Sequence, residues 1–254
     1  YFLDRQFPCT TPQKEKYFYF NYICGTLIGG DGIRSDKIKA INFLSGKGLL
    51  NHKMAISSSL YKKQSLASHP RLKSLRDQVE KSFICKKTYE KFKYQKPYIN
   101  GKIMDDKLGN NPIRINPQFY YNSYLSLVQE TEASDYSNRF TEKIMKCIAM
   151  KHPFILIGNT GALKLLKSHG FKTFEGLIDE SYDDEGLSLE QKLELICSEV
   201  QRLSEFSHED WFDFYLKTED IREHNYRLFY SDSFQEKLVQ EKYSIINNEK
   251  NFLL

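Results

Sequence analysis

Thr141, Glu142 and Lys143 stand together after a polar run and directly before an apolar periodic one. Thr141 is a natural helix N-cap and Glu142 falls in the first turn. A helix opening there presents unpaired backbone N–H groups and the positive end of its dipole, which together attract an anion. Lys143 adds a mobile point charge suited to a phosphate. A short way upstream, Glu130 or Glu132 could accept hydrogen bonds from ribose hydroxyls. Diphosphate plus ribose is the handle of a nucleotide-sugar. The same residues also serve without a ligand: Thr141 as a cap, Glu142 complementing the dipole, and Lys143 as a solvated surface lysine.

These groups need elements to hold them. Tyr124, Leu125, Leu127 and Val128 form an apolar run of strand length that stops at Glu130 and Glu132. After about a dozen polar residues, Ile144, Cys147, Ile148 and Lys151 repeat at helical spacing, and Pro153 ends the helix. Phe154-Ile155-Leu156-Ile157 is continuously apolar, as a strand covered on both faces must be. Gly158-Asn159-Thr160-Gly161 reads as a turn. Leu163, Leu165, Leu166 and His169 continue as a helix closed by Gly170, and a third short strand is expected beyond it. Strand, helix, strand and helix in this order predict a parallel α/β unit with a crevice at the carboxyl ends of its strands.

The run Glu130…Asp135-Tyr136…Thr141-Glu142-Lys143, then a helix, then Pro153-Phe154-Ile155-Leu156-Ile157-Gly158, resembles the nucleotide-sugar half of the α-1,3-fucosyltransferases. A longer pattern continues through Gly170-Phe171-Lys172-Thr173-Phe174 and Asp179-Glu180-Ser181-Tyr182-Asp183. It is similar to a broader group of viral and bacterial glycosyltransferase-like proteins. The likeness covers roughly residues 120–205, with a weaker echo near 16–60.

The resemblance implies a GT-B-like α/β fold: two Rossmann-like halves with parallel sheets, the N-terminal half small or truncated. It implies a nucleotide-diphosphate-sugar donor, with a GDP-linked sugar one candidate, and no metal or other cofactor required. Glu142 and Lys143 correspond to the family's donor-binding Glu and Lys. Thr141, Glu130 and Asn159 join that donor side. In the weaker match, Tyr17–Leu50, Asn21 and Arg34 occupy the polar positions, with Arg34 placed to approach the diphosphate or the acceptor. If the enzyme inverts, a carboxylate must deprotonate the acceptor, and Glu132, Asp31 and Asp36 are the candidates. The family's acid–Asn–Ser is replaced here by Glu130-Thr131-Glu132, and the loop before Thr141 carries a small insertion.

The chain around this unit has 254 residues, 40% hydrophobic, 14% aromatic and 28% charged, which describes a globular protein large enough for a real core. No apolar run approaches the roughly 20 residues of a spanning helix. The chain opens with Tyr1, not Met, and shows no signal-peptide pattern, which leaves open whether the N-terminus is truncated. Cys9, Cys24, Cys85, Cys147 and Cys197 are odd in number and dispersed, which predicts reduced thiols and a cytoplasmic, intracellular location. The histidines form no metal-ligand spacing either.

The net charge of +4 conceals an asymmetry. Residues 1–118 hold 22 Lys and Arg against 9 Asp and Glu, while residues 119–254 hold 15 against 24. The basic part is read as residues 1–110, an acceptor-side domain facing an anionic glycan or nucleic acid. Residues 111–230 are the nucleotide-sugar domain, and 231–254 a C-terminal helix crossing back. Within the basic part, a strand from Lys16 is expected to end at Asn21. The glycines at 25, 29, 30 and 32 then form a loop, Arg34–Leu44 a helix, and Ala55–Ser57 a second strand. Lys86, Lys87, Lys91, Lys93 and Lys96 interleave with Tyr89, Phe92 and Tyr94, a composition that suits a single-stranded nucleic acid or sugar phosphate. Pro97–Pro117 is the expected linker. The acidic stretch Ile178–Glu185 lacks a calcium-loop pattern and is read as a loop near the cleft, with Asp179 or Glu180 reaching a sugar. Two further readings share these features: a non-catalytic binding module on a transferase-like fold, and a glycosyltransferase acting on DNA bases.

Overall fold

Leu125–Val128 and Phe154–Ile157 place apolar side chains on consecutive positions, which only strands buried on both faces can accommodate. In the computed structural model they are β5 (Ser123–Gln129) and β6 (Phe154–Ile157), buried throughout. The structure describes residues 18–28, 32–51, 53–59, 70–93, 98–99, 102–103, 115, 117–131 and 140–236. β1 (Phe18–Thr26) and β2 (Met54–Ser59) join β5 and β6 in one parallel sheet ordered β2-β1-β5-β6. Strands from before and after residue 110 thus share that sheet.

The connections follow the sequence periods. α1 (Ser35–Gly46) links β1 to β2 and buries Ile38, Ile41 and Leu44. α5 (Glu142–Ala149) links β5 to β6 and buries Ile144, Cys147 and Ile148. The Lys-rich region forms α2 (Pro70–Ser82) and α3 (Lys86–Lys93). Of the expected linker, the pair β3 (Tyr98–Ile99) and β4 (Lys102–Ile103) and the start of α4 (Pro117–Tyr121) are described. α6 (Ala162–Ser168) ends at Gly170, whose φ of +89° is the left-handed turn a glycine takes readily. α7 (Leu189–Ser204) opens with the Ser188–Gln191 capping box. The aromatic region beyond it divides at Thr218 into α8 (His208–Lys217) and α9 (Glu219–Phe229).

Two local expectations are corrected. Asn21 does not end β1: the strand runs five residues further, and Asn21 pairs with Ala55 on one side and Ser126 on the other. The apolar residues Tyr22, Ile23 and Cys24 carry the strand on, and the sheet satisfies the Asn21 backbone. No third strand follows α6 among the described residues. Phe171 and Phe174 instead turn into the core, Phe174 edge-on to Phe154 at 5.0 Å, and the segment closes through a lone Glu175–Ile178 bridge and a 3-10 turn at Ser181–Asp183.

At the amino ends of the strands, Trp211 of α8 stacks on Tyr124 at 5.2 Å and meets Phe20 and Phe206 edge-on. That aromatic cluster fastens α8 to the end of the sheet opposite the polar residues. The two charge-biased stretches also meet, through Lys39–Glu190 and Lys47–Glu194 between α1 and α7. Both pairs are exposed and add little stability.

Candidate functional site

The strand order has one reversal. From β1 the chain crosses through α1 to β2 on one side, and the later strands build outward from the other side of β1. Open α/β sheets bind ligands at such a reversal, outside the carboxyl ends of the strands. Here those ends are Gly25 and Thr26 of β1, and Gln129 and Glu130 at the end of β5.

Consecutive strand residues point to opposite faces. Gln129 reaches one helix: its Nε2 donates to the Asp36 carbonyl in α1, 3.3 Å, and its Oε1 accepts from the Tyr22 hydroxyl. Glu130 reaches the other. Its carboxylate accepts from the Thr141 hydroxyl and, at 3.3 Å, from the Thr141 N–H. α1 and α5 therefore cover opposite faces, and both open at the same sheet edge.

Thr141 caps α5 as its side chain predicts, accepting from the Lys143 N–H. The Lys143 side chain folds back, with Nζ 3.0 Å from Thr141 Oγ1, 3.5 Å from Thr131 Oγ1, 3.5 Å from a Glu142 carboxylate oxygen and 3.9 Å from Glu130 Oε2. Lys143 is 7% exposed and Glu130 5%, so neither is a solvated surface charge. Burial raises the Glu130 carboxyl above its ordinary range, and Lys143 and the Thr141 hydrogen bonds oppose that shift.

Lys37, which no motif singles out, completes the cluster. It lies in the first turn of α1, 2% exposed, and donates to the Cys24 carbonyl. A Cβ placed on Gly25 would fall 3.4 Å from Lys37 Nζ and 3.1 Å from Lys143 Cε. The two lysines, arriving from opposite faces, converge over the end of β1. A signal for Lys37 was present: it sits four and seven residues before Ile41 and Leu44, on the stripe that α1 buries.

The remaining expected residues are placed as follows. Arg34 is the N-cap residue of α1, partly buried, and Asp36 is in that first turn. Asn159 lies in the turn after β6, which β5 separates from β1. Asn21 is fully buried in mid-strand, its amide atoms having no hydrogen-bond partner among the described residues, and does not reach the carboxyl edge. Asp31 and Glu132 lie outside the described residues. Of the two upstream glutamates, Glu130 is the one described beside Thr141.

The acidic stretch is engaged in its own loop. Asp183 caps α6 by accepting from the Ala162, Leu163 and Lys164 N–H groups. Glu180 accepts from the Thr173 hydroxyl and the Phe174 N–H, and Asp179 from the Ser181 N–H. A groove of about 820 Å³ lies here, bordered by Lys164, Lys167, Glu175 and Arg202. Lys164 and Lys167 are each ion-paired, to Glu185 and Glu175.

Among the described residues no group of three or more His, Cys, Asp or Glu is placed to hold a metal ion, and no helix is long and apolar enough to cross a membrane. No known protein family, curated protein or solved structure matches the chain.

Proposed function

We propose that this chain is a glycosyltransferase that moves a sugar from a nucleotide-diphosphate-sugar, a GDP-linked sugar being one candidate, to an acceptor. The supporting observation is the placement of Lys143: it stands in the first turn of α5, buried, at the strand-order reversal between β1 and β5. In this reading the acceptor oxygen attacks the anomeric carbon and the bond to the diphosphate breaks. Lys143 and the α5 N–H groups take up the charge developing on the departing diphosphate, an electrostatic role that needs no metal. Glu130 holds Thr141, and through it the mouth of α5, while its acid sits within reach of ribose hydroxyls. Asp36 is the described candidate to accept the acceptor proton, beside Asp31 and Glu132. Because β1 and β2 share the donor-site sheet, the acceptor side in this reading is the Lys-rich α2 and α3 of the basic N-terminal part.

A second reading draws on α2 and α3, where Lys73, Lys81, Lys86 and Lys87 are all exposed. That surface fits an anionic glycan or nucleic acid, as the acceptor of the transferase or as the ligand of a non-catalytic module. One assay separates them. Hydrolysis of GDP-, UDP- and dTDP-sugars is followed with chelator present, alongside a mobility shift on single-stranded DNA. Turnover lost in Lys143→Met supports the transferase. Salt-sensitive DNA binding unchanged in Lys143→Met, without turnover of any donor, supports the module and overturns the transferase.

A further inference from the structure

Lys37 is buried more deeply than Lys143 and plays no part in the reading above. Among the described residues the Cys24 carbonyl is its hydrogen-bond partner, and no carboxylate lies within ion-pair distance. An ammonium group withdrawn from water without a close counter-charge is disfavoured: its pKa falls, and an anion brought beside it restores the charged form. Two buried lysines, Lys37 and Lys143, face one buried carboxylate, Glu130, with the partly exposed Glu142 beside Lys143. Among the described residues, Arg34 at the N-cap of α1 makes no side-chain hydrogen bond to the first-turn N–H groups. Because Gly25 has no side chain, both lysines can lie close against it: a Cβ there would meet Lys143 Cε at 3.1 Å and Lys37 Nζ at 3.4 Å.

We infer that Lys37 is a second phosphate-binding residue, forming with Lys143 a two-lysine clamp for the two phosphates of a nucleoside diphosphate. One ammonium comes from each face of the sheet, and Gly25 is the floor between them. The clamp rests on the transferase reading only for the identity of its ligand; any diphosphate would satisfy its charge. Its pH response follows from the groups that face Lys37. Burial holds the ammonium down to about 8; Cys24 and Glu130 pull it up, while Lys143 and Arg34 push it further down. Asp36 precedes it on α1. A diphosphate between the lysines restores the charged form.

Inorganic pyrophosphate and GDP are the probes, titrated calorimetrically into wild-type protein, Lys37→Met and Lys143→Met at neutral pH. Lys37→Met keeps the apolar stem and removes the buried charge, so it is expected to melt at or above the wild-type temperature. It is also expected to bind pyrophosphate at least about tenfold more weakly, the loss of one charge-assisted phosphate contact. If Lys37 is only a structural tie to the Cys24 carbonyl, Lys37→Met melts lower and binds pyrophosphate as wild type does, and the clamp is overturned. GDP binding that depends on Lys143 but not on Lys37 overturns the clamp and leaves the transferase standing. Pyrophosphate binding that needs both lysines, with no turnover of any nucleotide-sugar, supports the clamp and removes the transferase. A measurement on wild-type protein stands apart from any folding defect: the Lys37 Nζ titration, followed by NMR, moves upward on adding pyrophosphate. No movement at saturating pyrophosphate contradicts the clamp.

Discussion

Lys143 Nζ lies 3.9 Å from Glu130 Oε2, and both side chains are withdrawn from solvent. The pair ties the first turn of α5 to the end of β5. It also couples anion binding at the turn to the protonation of a buried acid.

Lys143→Met leaves Glu130 buried with hydrogen bonds from Thr141 but without its cation. We expect a loss of about 2–4 kcal/mol at neutral pH, since breaking a buried pair strands the remaining charge. Glu130 is already raised above its ordinary range, and the substitution raises it further. A carboxyl raised in the folded state is destabilising when ionised, so the loss shrinks as pH falls through the raised value. Urea unfolding at pH 7 and pH 5 checks this; an equal loss at both would contradict it.

Gly25→Ala combines two penalties. The residue has φ +74°, where an L side chain costs about 1–2 kcal/mol. The new Cβ would also stand 3.1 Å from Lys143 Cε, tighter than most carbon contacts, so the lysine side chain must shift. The variant is expected to unfold more easily and to bind GDP several-fold more weakly. Affinity equal to wild type would show that the space above Gly25 is not used.

The two states of Lys37 give opposite pH trends. Its folded-state value near 8 lies below the unfolded 10.5, so between them the unfolded chain binds the extra proton. Stability of the ligand-free protein therefore gains from this group as pH rises through that window. Pyrophosphate affinity runs the other way, falling above about pH 8 as the clamp loses a charge. Calorimetry at pH 7 and 9, with thermal melts of the free protein, tests both signs.

Asp183→Ala should cost about 1–2 kcal/mol, because it removes the carboxylate accepting from three N–H groups at the start of α6. Nucleotide affinity should not change. A selective loss of affinity in a variant of near wild-type stability would bring the groove beside α6 back into the site.

Much of the scaffold was legible because its residues obey a single period. β5, α5, β6 and α6 each show one, and Thr141, Pro153 and Gly170 mark their ends by local backbone chemistry. Where a residue answers to tertiary surroundings the reading went astray. Asn21 looks like a strand terminator, yet neighbouring strands on both sides carry β1 through it. The segment after Gly170 reads as a short strand, but Phe171 and Phe174 are drawn into the core with no adjacent strand to pair among the described residues. Glu130 and Glu132 share a strand parity, so spacing alone could not choose between them. Lys37 went unnoticed because a lysine in a first helical turn is ordinarily solvated; only the convergence of α1 and α5 over Gly25 makes it part of a site.

The most direct measurement is a crystal structure of the protein soaked with GDP. The account predicts a diphosphate at the carboxyl edge of the sheet, over Gly25, with phosphate oxygens within hydrogen-bond distance of Lys143 Nζ and Lys37 Nζ and against the first turn of α5. Nucleotide bound elsewhere, as in the groove between Lys167 and Arg202, or a site still empty at saturating GDP, would contradict it.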